Sequence, residues 1–139
     1  MVVVDAKDLI VGRMATKVAK MAMKGDRVDI VNCELAVISG SKDDVFAKYK
    51  RIYDMGIPAK GPFLPRMPDR FVRRIIRGML PYKQQKGSDA YKRIMCYIGV
   101  PEKFANTDKI SFEECNVNKL PNYKYVHVKD ISKYLGAKI

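Results

Sequence analysis

Residues 2–31 read VVVDAKDLIVGRMATKVAKMAMKGDRVDIV, and this stretch decides the fold. It opens with a β-branched run, Val2–Val4, which is typical of a buried strand. A helical pattern follows over about residues 12–24 and ends at the breaker pair Gly25-Asp26. Val28–Val31, which reads VDIV, then predicts a second strand. A strand, a helix and a second strand in this order predict a βαβ unit with parallel strands.

The residues that follow extend this unit. Leu35–Ile38 predicts a third strand, which ends at Ser39-Gly40. Ser41 stands three residues before Asp44, the spacing of a capping box, and opens a predicted helix that runs to about Tyr53. Alternating strands and helices indicate an α/β fold with a mainly parallel sheet. The right-handed crossover rule places the second strand beside the first.

The C-terminal part of the chain supplies a last strand near Tyr123–Val128 and a closing helix near Asp130–Leu135. A short helix is predicted after Pro101. The chain has 139 residues, 47% of them hydrophobic, and we find no internal repeat. These values predict one domain, residues 1–139, with a substantial core.

The middle of the chain holds an irregular segment and a basic helix. Asp54–Met67 has two glycines, three prolines and no periodicity, which predicts an extended functional loop. Pro68–Pro81 then reads PDRFVRRIIRGMLP, with Pro in the first turn. Its four arginines fall within an arc of about 100° at helical spacing, opposite the apolar side chains. They are Arg70, Arg73, Arg74 and Arg77.

The charge of the chain is concentrated around this helix. The formal net charge is +12, and Pro58–Lys86 alone carries eight cations against one acid, Asp69. A solvated helix usually mixes Glu with Lys, whereas arginine binds phosphate bidentately and stacks on bases. Phe63 and Tyr82 are interleaved with the cations, a mixture suited to folded RNA. Because these side chains lie opposite the apolar face, we expect reversal of Arg73, Arg74 and Arg77 to Glu to abolish RNA association but leave the fold intact.

The first helix repeats the pattern in a weaker form. Its four cations lie within about 40° of one line at helical spacing. They are Arg13, Lys17, Lys20 and Lys24. Lysine on a helix is often only a solubilising face, so phosphate contact and simple solvation remain equal alternatives here.

Several other classes of site are disfavoured. The three cysteines are far apart and form no CxxC, and His127 has no Cys or His at ligand spacing, so we expect no metal, disulfide or cofactor. No apolar run is long enough to span a membrane. The N-terminus lacks the features of a signal peptide, which predicts a cytoplasmic protein.

A nucleotide-dependent enzyme of the doubly wound type is the strongest alternative. Glu34 follows the second strand, where a ribose-binding carboxylate would lie. However, the first turn has only Gly12 and lacks the G-x-G-x-x-G pattern, and Asp5 and Asp8 would repel a pyrophosphate. We therefore interpret Glu34 as a structural acceptor and expect no small-molecule substrate.

Several blocks carry a resemblance to a known family. They are Gly12-Arg13-Met14-Ala15, Asn32-Cys33-Glu34, Ile38-Ser39-Gly40, Arg77-Gly78-Met79-Leu80-Pro81, Lys83–Gly87 and Gly99-Val100-Pro101. With these blocks the chain resembles the L-thirteen family of large-subunit ribosomal proteins, in its archaeal and eukaryotic-like form. The resemblance implies a three-layer α/β/α fold around a four-stranded sheet and a role without catalysis. That role is to bind large-subunit ribosomal RNA and support subunit assembly, beside neighbouring large-subunit proteins.

The most basic region of the family maps onto Pro58–Arg93. The departures are Cys33 in place of a small residue, which affects packing, and Leu64-Pro65 in place of a more polar or basic pair, which bears on the loop tip. The residues predicted to bind RNA are Arg13, Lys17, Lys60, Arg66, Arg70, Arg73, Arg74, Arg77, Tyr82, Lys83, Lys86, Lys92 and Arg93. Composition does not separate a ribosomal protein from a free RNA-binding regulator.

Overall fold

The computed structural model describes all residues from Met1 to Ile139. It contains six strands and five α-helices, joined by loops and short 3-10 turns. In chain order these are β1 (Val2–Asp5), α1 (Val11–Lys24), β2 (Val28–Val31), β3 (Val37–Ser39), α2 (Lys42–Asp54), α3 (Pro68–Gly78), α4 (Gln85–Lys92), β4 (Ile94–Cys96), β5 (Lys109–Ile110), β6 (Tyr125–His127) and α5 (Val128–Tyr134). None of the helices combines the length and apolar composition needed to cross a membrane.

The main sheet has four strands in the order β4-β2-β1-β5, and every pairing in it is parallel. Val2 pairs with Val28, which confirms that the second strand lies beside the first. All four residues of β2 are buried, as expected of an inner strand covered on both faces. The α/β class and the mainly parallel sheet are therefore confirmed.

The predicted strand Leu35–Ile38 is partly wrong. Leu35 belongs to a 3-10 turn, and β3 pairs antiparallel with β6 in a separate two-stranded sheet. The reason lies at Asn32, whose left-handed φ of 56° turns the chain away from the main sheet directly after β2. The sheet is completed instead by β4 and β5, which have three and two residues and are too short to show a periodic pattern.

The two faces of the sheet are covered unequally, in an arrangement consistent with three α/β/α layers. A cluster of 26 buried residues joins the sheet to α1, α3, α4 and α5 on one face, with Phe71, Met14 and Ile76 among its largest members. On the other face Val3, Val31 and Phe104 form a small cluster. The thick layer therefore contains both of the basic helices.

The basic helix α3 begins at Pro68 as predicted and ends at Gly78, three residues earlier than the predicted Pro81. Turns then lead into α4, which the sequence pattern did not predict. Gly87 in α4 packs so closely on the preceding segment that a Cβ there would lie 2.1 Å from the carbonyl oxygen of Pro81. This contact fixes the first turn of α4 against the segment that follows α3.

Candidate nucleic-acid interface

An open groove of about 580 Å³ runs along the outer side of α3, and all four of its arginines line it. Phe63 and Pro65 of the preceding loop form one wall, and Tyr91 of α4 contributes to the lining. The cationic stripe predicted from sequence is therefore the floor of a concave surface with aromatic sides. Such a surface combines donors for phosphates with rings for bases.

Arg73 is held within the protein. Its Nε donates to the carbonyl oxygen of Ile94 at 3.0 Å and its Nη2 to that of Tyr91 at 3.4 Å. Its guanidinium also lies 4.4 Å from the centroid of the Tyr91 ring. Arg73 thus joins α3 to α4 and β4, which contradicts the premise that its side chain is free of the protein, so its reversal to Glu is expected to destabilise the fold.

Arg74 connects α3 to the loop that precedes it. Its Nη1 donates to the backbone carbonyl of Phe63 and so ties the loop to the helix. The Phe63 side chain itself remains 70% exposed at the edge of the groove. Arg74 therefore positions the loop wall.

Arg70 and Arg77 stand at the two ends of the stripe. Neither makes an ion pair with an acidic side chain. Arg70 is exposed, and Arg77 lies half-buried with its guanidinium 4.9 Å from the Tyr82 ring centroid. They are seven positions apart in the chain, or about 10.5 Å along a helix axis. They are the arginines of α3 most available to an anion.

The loop before α3 is folded on itself. Lys60 lies exposed in a turn in which the backbone N–H groups of residues 60 and 61 both donate to the carbonyl of Ile57. Gly56, with φ of 84°, has no room for a side chain, since a Cβ would lie 1.9 Å from the Gly61 oxygen. The Arg66 guanidinium stacks 4.8 Å from the ring centroid of Tyr53, away from the arginine groove.

The predicted RNA-binding cations after α3 fall into two groups, those that are free and those that have a partner within the protein. Lys83 and Lys86 are exposed and form no ion pair, and Lys92 lies 3.6 Å from a carboxylate oxygen of Asp89. Arg93 is half-buried and donates to the carbonyl of Ala22 at 3.2 Å. A cation at the C-terminal turn of a helix complements the helix dipole, which gives Arg93 a structural role at the end of α1.

The cations of α1 are not brought together in one site. Lys17 forms a 2.5 Å ion pair with Glu114, and this contact raises the pKa of Lys17 and lowers that of Glu114. Arg13 is exposed and makes no ion pair. Lys20 and Lys24 line a second open groove of about 530 Å³ together with Met79, which follows α3.

The nucleotide-site alternative finds no support in the geometry. Both carboxylate oxygens of Glu34 accept from the backbone N–H of Gly99, at 3.2 and 3.0 Å. Glu34 is therefore a structural acceptor, as its position at a strand end suggested. One carboxylate oxygen of Asp5 likewise accepts from the Lys7 N–H and the Asn32 amide.

The cysteines and the histidine lie in structural positions. All three cysteines are buried and unbridged, and a hydrogen bond to Cys96 together with burial raises the pKa of Cys33 well above its ordinary range. Cys33 is therefore a neutral thiol without nucleophilic character. The Nδ1 atom of His127 lies 3.3 Å from the Leu35 carbonyl, and no three metal-ligating side chains cluster anywhere in the chain.

Two parts of this surface were not among the predicted site residues. Tyr91 lies on α4, and no periodic pattern revealed that helix, because it spans eight residues with few apolar positions. Phe63 could have been selected, since a large aromatic residue in a polar, proline-rich loop has no apolar pattern that would bury it.

Comparisons with known proteins agree with the resemblance in the sequence. The profile of the family described as Ribosomal protein L13 matches residues 1–103. The large ribosomal subunit protein uL13 of Methanococcoides burtonii is 46% identical over 138 residues, 99% of each chain. That of Archaeoglobus fulgidus is 43% identical over 96% of this chain and 86% of its own, and that of Methanococcus maripaludis is 43% identical over 99% of both. The groove residues thus lie within the part of the chain that the family profile matches.

Proposed function

The chain belongs to the ribosomal protein L13 family, and from this premise we propose that it binds large-subunit ribosomal RNA through the arginine groove of α3. Members of this family are structural proteins of the ribosome rather than enzymes, so the nucleotide-dependent enzyme considered above is rejected. We propose the same role here, as a structural constituent of the cytoplasmic large subunit that supports its assembly beside neighbouring subunit proteins.

The observation that carries the proposal is the convergence of four arginines on one groove without an acidic partner. Like charges this close repel one another, and each i, i+3 or i, i+4 pair costs the helix a few tenths of a kcal/mol. A polyanion in the groove would remove that cost and release its own counterions. Phosphate is also the anion that the guanidinium fork fits best.

The contacts within the protein divide the predicted RNA-binding residues by role. We assign to phosphate contact the cations that have no acidic or carbonyl partner within the protein, Arg13, Lys60, Arg70, Arg77, Lys83 and Lys86, together with Lys92, which is exposed although it lies 3.6 Å from Asp89. Those that organise the surface from within are Lys17, Arg66, Arg73, Arg74 and Arg93. Tyr82 supports Arg77 through its ring. RNA binding thus relies on the first set directly, and within the second set Arg73 and Arg74 contribute through the shape of the groove.

The test is the salt dependence of binding to large-subunit ribosomal RNA from a relative's organism, such as Methanococcus maripaludis. We compare the native chain with the double variant Arg70→Gln/Arg77→Gln. If both arginines contact phosphates, the slope of log affinity against log salt should become shallower by about 2. The matched control is Lys48→Gln/Arg51→Gln, which removes two exposed cations from α2, a helix that contributes nothing to the groove.

The proposal requires the groove variant to lose most affinity at low salt, with a loss that shrinks as the salt concentration rises, while the α2 control binds like the native chain. Equal slopes for the native chain and the groove variant would overturn it. Equal losses for the groove variant and the control would also overturn it, because they would show attraction by net charge alone.

A further inference from the structure

The groove has one feature that phosphate binding does not require. The Phe63 side chain is 70% exposed beside four guanidinium groups, at a position where a polar residue would bind an anion equally well. Exposing a large aromatic ring to water forgoes the stabilisation that its burial would give. A ring presented in this way to a polyanion-binding groove is suited to the face of a nucleobase.

The structure holds this ring in place from two sides. Arg74 fixes the backbone of Phe63 through its carbonyl oxygen. The ring also lies against Gly61, so closely that a Cβ at Gly61 would lie 2.9 Å from two of its carbon atoms. A stacking platform fixed before binding loses less conformational entropy when a partner arrives.

Phe63 is also the aromatic wall of the groove that remains free. The other ring in the lining, Tyr91, is already stacked with the guanidinium of Arg73 at 4.4 Å. Outside the lining, Arg77 occupies the Tyr82 ring in the same manner, at 4.9 Å. A base that enters between the α3 arginines can therefore stack on Phe63.

We propose that the groove binds a single unpaired RNA nucleotide, with its base stacked on Phe63 and the neighbouring phosphates held by Arg70 and Arg77. This inference rests on the function proposed above and makes its RNA target more specific. Within a paired helix both faces of a base are covered by its neighbours, so only a bulged or looped nucleotide can offer its face to the ring. The volume of about 580 Å³ lies within the range of about 300–1,000 Å³ that is usual for small-ligand sites.

The test uses the full chain and two labelled probes, an eight-nucleotide oligoadenylate and a blunt RNA duplex of twelve base pairs, with affinities measured by fluorescence anisotropy. Phe63→Leu should weaken oligoadenylate binding about tenfold, the effect of losing one base–aromatic stack. Its affinity for the duplex should stay within about twofold of the native value. Phe63→Tyr and Phe63→Trp retain a ring and should bind oligoadenylate as well as the native chain does.

The matched control is Tyr123→Leu, which removes an aromatic ring that is 93% exposed but lies outside the groove, and it should change neither affinity. Unchanged oligoadenylate affinity in Phe63→Leu would overturn the inference, and so would equal losses on both probes. In either case the loss of ribosomal RNA binding by Arg70→Gln/Arg77→Gln would still support the proposed function. If Phe63→Leu weakened oligoadenylate binding while Arg70→Gln/Arg77→Gln left RNA binding unchanged, base stacking on Phe63 would be supported, and the phosphate contacts of the inference would be overturned together with the proposed function.

Discussion

The helices α3 and α1 look alike in sequence and differ in what surrounds their cations. Each carries four basic residues on one face at helical spacing, and the two helices pack beside each other on the same side of the sheet. Around α3 the loop wall and α4 rise on either side, so its arginines line a groove. Around α1, Lys17 is paired with Glu114, and Lys20 and Lys24 border a separate groove with Met79.

The difference shows that a charged stripe does not by itself make a binding site. Arg73 and Arg74 donate to backbone carbonyls, which fixes their guanidinium groups without cancelling their charge. Lys17 donates to a carboxylate, which cancels it. Neighbouring carbonyls therefore preserve the positive potential of α3, whereas a neighbouring acid lowers that of α1.

The largest expected effect comes from reversing charge on each helix in turn. Arg70→Glu/Arg77→Glu should weaken association with large-subunit ribosomal RNA at least about 100-fold, since two phosphate contacts become repulsions. Lys20→Glu/Lys24→Glu on α1 makes the same change in net charge and should cost about tenfold or less. Co-sedimentation of each purified variant with the RNA through a low-salt gradient measures the difference. Equal losses of RNA affinity for the two variants would show that the groove around α3 contributes nothing to binding beyond the row of basic side chains.

The sequence was sufficient for those parts of the fold that have a strong local signal. Val2–Val4 is a β-branched run, Val28–Val31 is β-branched except at Asp29, and the predicted N-terminal cap at Ser41 is observed, with its Oγ accepting from the Asp44 N–H at 3.3 Å. In contrast, β4 and β5 are strands only because β2 and β1 lie beside them. Elements this short take their structure from tertiary contacts, which local propensity does not contain.

The candidate site was predictable as a helix face but not as a groove. The periodicity places the four arginines together, and the structure agrees. Which of them stay free depends on contacts with Phe63, Tyr91 and Ile94, which lie 11 to 21 residues away along the chain. Contacts over such distances are set by packing of the loop and α4, so no pattern within α3 could reveal them.

The second prediction concerns α4, which contributes Tyr91 to the groove of α3 and has no counterpart in the groove beside the cations of α1. Gly87→Ala places a Cβ against the Pro81 carbonyl, so α4 must shift and Tyr91 with it. We expect the free energy of unfolding to fall by about 1–3 kcal/mol, as for other overpacked sites, and RNA affinity to fall as well. Gly78→Ala is the control, since nothing lies within 4 Å of its Cβ, and it should be neutral or slightly stabilising. Urea denaturation measures the stability of both variants, and RNA titration measures their affinity. If Gly87→Ala were as stable as the native chain, the close contact with Pro81 would be contradicted.

The third prediction separates an anchored arginine from a free one within α3. Arg73→Met removes the donors to Ile94 and Tyr91 and should cost about 1–2 kcal/mol of stability. Arg70→Met should leave stability unchanged and weaken RNA binding, because Arg70 is exposed and makes no ion pair. Arg73→Lys should not restore stability, since an ammonium group cannot reproduce the guanidinium fork. Thermal unfolding and RNA titration of the three variants check this, and equal stability of Arg73→Met and Arg70→Met would contradict the anchoring role.

The smallest expected effect comes from a substitution that leaves the cations of α1 without an acidic partner, as those of α3 are. Glu114→Gln removes the partner of Lys17, and it should lower the melting temperature slightly at pH 7. Because the pKa of Glu114 is lowered in the fold, its stabilisation is present above its ordinary pKa of 4.5 and is lost as the pH falls through the lowered value. The raised pKa of Lys17 sets the other limit, since its stabilisation is lost as the pH rises above its ordinary 10.5. The difference in melting temperature between the variant and the native chain should therefore shrink as the pH falls below 4.5. At neutral pH the freed lysine should steepen the salt dependence of RNA binding by at most about 1, and a shallower slope would show that Glu114 does not shield α1.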